Sequence, residues 1–247
     1  MRNSIHIEPV DNSELSAKTK AALIELIRSQ ESDEPFKLPS EDQLAQMMGV
    51  SRNALRDVLA SLEEMGLVTR QRSKGTLGNP KVARETCRLD TDPGLFSMIR
   101  QMGRTPRTDM TSVGMVQKND PLMGAECQSY LEVSKRFYAD DVPVVLTIDH
   151  ILGELAEGKE ELFPRLEKES CFSFLKRSCR VPVAYSMATF DVTHADAQLQ
   201  ELFQVGPEEL FLVIDDIVYS KDLKIVCHAR SYYRKGYLPV KVLRKGW

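Results

Sequence analysis

Residues 38–80, LPSEDQLAQMMGVSRNALRDVLASLEEMGLVTRQRSKGTLGNP, decide how the first third of this chain folds. Pro39 sets the approach to a helix, and Ser40 can cap it, with Gln43 three residues on to complete a capping box. Leu44, Ala45 and Met48 recur on one side of that helix and are expected to face inward. Gly49 supplies a tight turn, because glycine takes positive φ without strain, and Val50 fills the angle after it. Ser51 can cap a second helix whose apolar stripe is Leu55, Val58, Leu59 and Leu62. At about 100° per residue, the opposite side carries Asn53, Arg56, Asp57 and Ala60, with Arg52 at the edge of the first turn. Two helices joined in this way read as a helix-turn-helix.

The residues that follow, GLVTRQRSKGTLGNP, read as strand, basic tip and strand, which is a wing with Lys74 and Gly75 at its tip. From Met65 to Arg84 the chain carries five basic residues and no acidic one. The outward side of the second helix has the side chains that major-groove reading needs. Arginine can fork onto guanine, asparagine can pair with adenine, and a small alanine permits close approach. The first turn of the helix would aim free backbone N–H groups at phosphate. A lysine beside a glycine at the wing tip can bring charge and backbone against phosphate or into the minor groove.

Working outward, 247 residues suffice for one large domain or two modest ones. A hydrophobic fraction of 42% and a charged fraction of 28% are ordinary for a globular chain. The net charge of −3 is no sign of nucleic-acid binding, so the argument rests on where the basic residues fall. No apolar run approaches the roughly 20 residues needed to span a bilayer, and the polar N-terminus lacks a signal-peptide core, so the expected location is cytoplasmic. The five cysteines are scattered without CxxC pairing, which argues against a disulfide framework and a zinc finger. Upstream of the quoted stretch, Leu15, Ala22, Leu23, Leu26 and Ile27 recur at helical spacing, followed by a polar break, SQESDEPFK.

Beyond Pro80 the pattern changes. Segments such as VPVVLTIDHI, VPVAYSMATFDV, LFLVIDDIVYS and KIVCHARSYY are rich in Val, Ile, Tyr and Phe and read as strands. Short helices interrupt them at DPGLFSMIRQMG, ESCFSFLKRSC and HADAQLQELF. The connections are too short for parallel crossovers, so a mostly antiparallel sheet with helices packed on one face is expected. The fold class is α+β, with a winged helix-turn-helix domain over 1–78, a polar linker over 79–90, and a second domain over 91–247.

The stretch from Leu38 to Thr76 resembles the signature of the GntR family of bacterial transcription regulators. The family runs LPSER-x-LA, then GVSR, then an R-x-A/V-L-x-x-L helix ending in G-L, then a wing closed by G-R/K-G-T. Leu38–Ser40, Leu44–Ala45, Gly49–Arg52, Leu55–Arg56, Leu59, Leu62, Gly66–Leu67 and Lys74–Thr76 match it. Asp42 stands where the family usually has an arginine that contacts DNA, and a carboxylate there would repel phosphate. Asn53 and Ala54 replace the usual threonines, and Ser73 replaces the first glycine of the wing. The candidate DNA-contacting set is Ser40, Ser51, Arg52, Asn53, Ala54, Arg56, Arg72, Lys74, Gly75 and Thr76.

Within that family the second half is similar to the HutC-type group, whose UTRA effector domain is akin to chorismate lyase in fold. DPGLFSMIRQMGRTP, HADAQLQELFQVGPEELFLVIDDIVY and ARSYYRKGY carry this resemblance. It implies a pocket for a small-molecule effector at positions that fall on Lys135, Arg136, Phe137, Thr147, Ser170, Phe172, Cys227 and Tyr233. The two carboxylates with which sugar-phosphate-sensing relatives line this pocket are replaced by Thr147 and Cys227, so a different ligand is expected.

Other constellations are weak. His6, His150, His194 and His228 stand at no metal-ligand spacing, and neighbouring Cys227 and His228 would point to opposite faces of a strand. Asp140–Asp141 and Asp215–Asp216 read as turn or solvent-facing pairs. No phosphate loop, nucleophile elbow or HExxH occurs. The expectation is a homodimeric, ligand-responsive repressor that binds a palindromic DNA operator, with no catalytic residue, no metal and no cofactor. A lyase-like enzyme fused to a DNA-binding domain and a ligand-independent DNA-binding protein are the alternatives.

Overall fold

The computed structural model describes residues 13–91 and 94–245. The chain divides into two compact units, one formed by residues 1–92 with 241–247 and the other by 93–240.

The first unit opens with α1 (Ser13–Arg28) and a two-residue strand β1 (Phe36–Lys37). There follow α2 (Glu41–Met48), α3 (Arg52–Glu64), β2 (Val68–Gln71), β3 (Gly75–Gly78) and α4 (Pro80–Arg84). Ser40 caps α2 and forms the capping box with Gln43, while Gly49 ends it in the left-handed conformation at φ 65°. Ser51 caps α3 by accepting from the Ala54 N–H at 3.2 Å. Leu55, Val58, Leu59 and Leu62 of α3 are buried against Leu23 and Ile27 of α1 and Leu44 and Ala45 of α2. Each such leucine contributes about 1.5–3 kcal/mol.

Two expectations for this unit change. The polar break after α1 contains β1, which pairs antiparallel with β3 and makes the wing a three-stranded sheet. The stretch 79–90, expected as a linker, contains α4, capped by Asn79 with Pro80 in its first turn. Ala83 enters the core of this unit and Cys87 is buried. Small apolar residues spaced between charges read as polar by composition and still bury one side of a short helix. Residues 241–245 also join this unit, with the Lys241 N–H donating to Cys87 O at 2.9 Å.

The second unit begins with α5 (Gly94–Gln101), β4 (Pro106–Val116), β5 (Tyr130–Ala139) and β6 (Val142–Leu152). It continues through α6 (Gly153–Ala156), a 3-10 segment at Glu160–Glu167 and α7 (Cys171–Arg177). The remaining elements are β7 (Val183–His194), α8 (Ala197–Phe203), β8 (Leu210–Ser220) and β9 (Ile225–Arg234). Six strands form one antiparallel sheet in the order β4-β5-β6-β9-β8-β7. No helix among the described residues is long and apolar enough to cross a membrane.

Helices cover both faces of the sheet, not one. Leu131, Val133, Ile151 and Cys227 pack with Phe163, Leu166, Phe174 and Leu175 of the 3-10 segment and α7. On the reverse face, Leu146 and Phe211 pack with Leu199 and Phe203 of α8. Alternation along each strand separates the two sets, since successive side chains point to opposite faces. At the edge, β7 stands apart. From Ala184 to Val192 every residue is exposed, including Tyr185, Met187, Phe190 and Val192.

Candidate nucleic-acid interface and ligand-binding face

The outward side of α3 presents Arg52, Asn53, Arg56 and Asp57 to solvent, with Ala54 and Ala60 half-buried. Asn53, Arg56, Asp57 and Ala60 line a shallow hollow of about 260 Å³ together with Arg70. Both arginines lean on carboxylates from the first turn of α2. Arg52 Nε lies 2.8 Å from Asp42 Oδ1, and Arg56 Nε lies 3.9 Å from Glu41 Oε2. The Arg52–Asp42 pair is exposed on both sides and Glu41 is half-buried, so each pair stabilises the fold by less than about 1 kcal/mol. Their larger effect is to hold both guanidinium groups on the outward side of α3.

In the wing, Arg72, Ser73 and Lys74 form the exposed turn between β2 and β3. Gly75 follows at φ 83°, a conformation that side chains rarely adopt. Thr76 is half-buried in β3, opposite Arg70. Arg70 is drawn away from the tip by Glu63, whose Oε1 accepts from the Arg70 N–H at 2.9 Å and whose Oε2 accepts from Nε at 2.8 Å. The backbone hydrogen bond holds the Glu63 carboxyl below its usual range, with burial opposing and the Arg70 side chain assisting. Ser40 and Ser51 hold the N-termini of α2 and α3 with hydroxyls already engaged as caps.

The residues expected to bind an effector separate into three groups. Lys135 and Thr147 are direct partners on β5 and β6, and Thr147 in turn faces Ser231 on β9. Phe137 and Tyr233 lie in the adjoining row, both opposite Val145. These four share one face and are buried. The Lys135 ammonium donates to the carbonyls of Glu169 at 2.9 Å and Leu166 at 3.3 Å, which brings the start of α7 over this face. Ser170 caps α7 and is exposed, while Phe172 packs half-buried against the core.

Arg136 does not join them. Adjacent to Lys135 on a strand, it points to the reverse face and donates to Asp109 through Nε at 3.3 Å and Nη2 at 2.9 Å. Cys227 is also set apart. It lies opposite Ile151, two rows from Thr147, as a buried thiol in the apolar core. Burial pushes that thiol well above its ordinary range.

Two features of this face escaped the sequence reading, the unpartnered hydroxyl of Thr147 and the residue Asp149. Thr147 Oγ1 is buried without a hydrogen-bond partner among the described residues. Asp149, two positions on and therefore on the same face, is buried and accepts from Cys171 Sγ at 2.8 Å. Burial raises its carboxyl above the usual carboxylate range, against the opposing effects of Cys171 and Lys135. Alternation from Lys135 and Thr147 would have placed Asp149 beside them; its burial depends on α7.

The histidines also depart from expectation. His6 lies outside the described residues and His194 is exposed. His150 and His228, far apart in sequence, are cross-strand partners on β6 and β9. Both direct Nδ1 at Asp120 Oδ2, at 2.6 Å and 2.7 Å. Asp215, expected to face solvent, accepts from His228 Nε2 at 2.9 Å and from Arg230 Nε at 2.7 Å. Linear spacing cannot reveal ligands supplied by strand register.

Comparison with known proteins accounts for both units. Residues 15–77 match the model of bacterial regulatory proteins of the gntR family, and residues 101–237 match that of the UTRA domain. The chain is 24% identical over 217 residues to the HTH-type transcriptional repressor NagR of Bacillus subtilis, covering 84% of this chain and 85% of that one. An uncharacterized HTH-type transcriptional regulator of the same organism, YurK, is 24% identical over 197 residues, 77% of this chain and 79% of its own. The fold is that of the possible transcriptional regulator YydK from B. subtilis, with a TM-score of 0.76 at 13% identity over 94% of this chain and 99% of the other. PhnF from Mycobacterium smegmatis shares it at a TM-score of 0.58 and 18% identity, over 93% of this chain and 100% of its own. A GntR-type helix-turn-helix followed by a UTRA domain defines the chain as a member of the GntR family of bacterial transcriptional regulators, which are not enzymes.

Proposed function

We propose that this regulator is a cytoplasmic, homodimeric repressor that grips a palindromic DNA operator and is controlled by a small-molecule effector bound to its UTRA domain. The observation that carries the reading is the exposed face of α3, with Arg52, Asn53 and Arg56, together with an exposed basic wing tip at Arg72, Lys74 and Gly75. Arg56 and Asn53 read base edges in the major groove, and Arg52 anchors the first turn. Ser40, Ser51 and Ala54 bring the two helix N-termini close to phosphate, and Arg72, Lys74, Gly75 and Thr76 act from the wing. Two such units related by a two-fold axis match a two-fold operator. The exposed β7, with Met187, Phe190 and Val192 at 63%, 47% and 68% exposure, is the natural surface for the second copy, because an open apolar edge strand invites pairing.

The effector is held by Lys135, Phe137, Thr147 and Tyr233 under the start of α7, with Ser170 and Phe172 at its rim. A buried ammonium beside an unpartnered hydroxyl suits an anionic or carbonyl oxygen next to a hydroxyl-bearing ligand. Arg136 and Cys227 take no part.

A thermal-shift screen of sugar phosphates, nucleosides and amino acids tests the sensor, followed by a mobility shift on the DNA upstream of the protein's own gene. The expected result is one ligand class that raises the melting temperature and alters the DNA affinity. DNA binding that no such ligand alters favours a ligand-independent regulator. Turnover of chorismate would overturn the reading altogether.

A further inference from the structure

Asp120, His150 and His228 meet on the face of the second unit opposite Lys135 and Thr147. Glu132 on β5, His150 on β6 and His228 on β9 form one row across three neighbouring strands. Asp120 reaches the row from the loop between β4 and β5, where it caps a single 3-10 turn through Leu122 N–H at 3.0 Å. Asp120 and His228 are buried, and His150 is stacked on Tyr130 with ring centroids 4.0 Å apart. One ligand atom from each of Asp120, His150 and His228 lies within 4.8 Å of the others.

With neutral rings the hydrogen bonding does not close; it closes when both rings are imidazolium or when a metal ion takes their Nδ1 atoms. Each imidazole meets a carboxylate through both ring nitrogens. The Nδ1 atoms face Asp120, while His228 Nε2 faces Asp215 at 2.9 Å and His150 Nε2 faces Glu132 at 3.4 Å. A neutral imidazole carries one N–H, so two rings supply two protons for four contacts. With the Nε2–H groups donated outward, both Nδ1 lone pairs point at the same carboxylate oxygen. Three carboxylates (Asp120, Glu132, Asp215) surround the rings against one guanidinium, Arg230, which leaves a deficit of two positive charges.

We infer that Asp120, His150 and His228 bind one divalent transition-metal ion of the zinc, cobalt and nickel class. The ion takes both Nδ1 lone pairs and the Asp120 oxygen, which resolves the proton shortage and the charge together. Imidazole with carboxylate selects ions of this class over calcium or magnesium. Glu132 and Asp215 then serve as the carboxylates that orient each ring through its outer N–H. Bonds of about 2.0–2.2 Å at tetrahedral angles separate ligand atoms by about 3.3 Å, so Asp120 retracts by about 0.6 Å. The two rings, whose ligand atoms lie within 4.8 Å of one another, close on the ion from the sheet. Three protein ligands leave a fourth position open. The bound ion clamps the β4–β5 loop onto the central strands, on the side of the sheet away from Lys135.

The test uses untagged full-length protein, stripped with a chelator and titrated with Co²⁺. The expected result is a visible ligand-field band that saturates at one equivalent per chain and is displaced by Zn²⁺, with a rise in melting temperature. His150→Gln and His228→Gln each weaken Co²⁺ binding by more than tenfold. Glu132→Gln keeps the band and weakens binding by about 10–100-fold. His194→Gln, an exposed control, changes nothing. Absence of both band and bound Zn²⁺ at excess metal overturns the proposal. Undiminished affinity in His150→Gln overturns it too. That ring is at the more open side of the cluster, so this variant decides the question even if His228→Gln does not fold.

Discussion

Asp42 Oδ1 lies 2.8 Å from Arg52 Nε, an ion pair that joins the first turn of α2 to the first turn of α3. Where the family resemblance leads one to expect an arginine, this chain places an anion beside Arg52, one of the residues proposed to contact DNA. The pair is exposed on both sides, so it is weak in free protein and competes with phosphate for Arg52. Asp42→Arg is expected to tighten operator binding several-fold and to steepen its salt dependence by about 0.9 in log–log slope, one added phosphate contact. Mobility shifts at several salt concentrations measure both. An unchanged slope would mean that residue 42 lies away from the backbone.

Arg56 and Lys74 should lose affinity in different ways. Arg56→Ala removes the proposed base contact and is expected to cost about 1–3 kcal/mol while relaxing sequence preference at one position. Lys74→Ala removes the proposed phosphate contact and is expected to weaken specific and non-specific DNA alike and to lower the salt slope by about 1. Comparing operator with scrambled DNA for each variant distinguishes the roles. Identical profiles would place both residues on the backbone.

Gly49 ends α2 at φ 65°, and a Cβ there would meet nothing within 4 Å. Gly49→Ala is therefore penalised by backbone conformation alone, about 1–2 kcal/mol. Reduced freedom of the unfolded chain offsets about 0.4–1 kcal/mol of this. The expected net loss is below about 2 kcal/mol, with Asn better tolerated than Ala because it adopts the left-handed region more readily. Urea titration of the full chain, followed by circular dichroism, reports the value. A loss typical of core truncation would show that the turn is more crowded than its geometry indicates.

Asp109 links pH to the stability of the second unit. Burial pushes its carboxyl up, but hydrogen bonds from Arg136 and Tyr138 outweigh burial and hold it below its ordinary value of 3.8. The folded carboxyl thus releases its proton more readily than the unfolded one. Its contribution is complete above 3.8 and is lost as the pH falls through the lower folded value. Asp109→Asn is expected to lower the melting temperature at neutral pH and to flatten its decline in acid. If the variant's melting temperature falls as steeply in acid as the wild type's, this ion pair contributes nothing to acid sensitivity.

Much of the first unit was legible because its determinants are local. A cap bonds three residues away, a helix face repeats every three or four residues, and a turn glycine acts at its own position. Ser40, Gly49, Ser51 and the Leu55–Leu62 stripe all lie where such rules put them. In the second unit the quoted strand segments for β6, β7, β8 and β9 were readable from composition. Their register was not. Alternation alone separates Arg136 from Lys135, yet only the 3-10 segment and α7 decide which face becomes a pocket and which pairs with Asp109.

By itself, the sequence determined a helix-turn-helix with a basic wing, a strand-rich second half and the family to which both belong. These follow from contacts between residues close along the chain, or from long motifs. Only the tertiary structure decided that Asp42 holds Arg52, that Cys87 and α4 belong to the first unit, and that His150 meets His228 over Asp120. Those relationships depend on strand pairing and packing between distant segments, where a one-residue change of register exchanges the two faces of a strand.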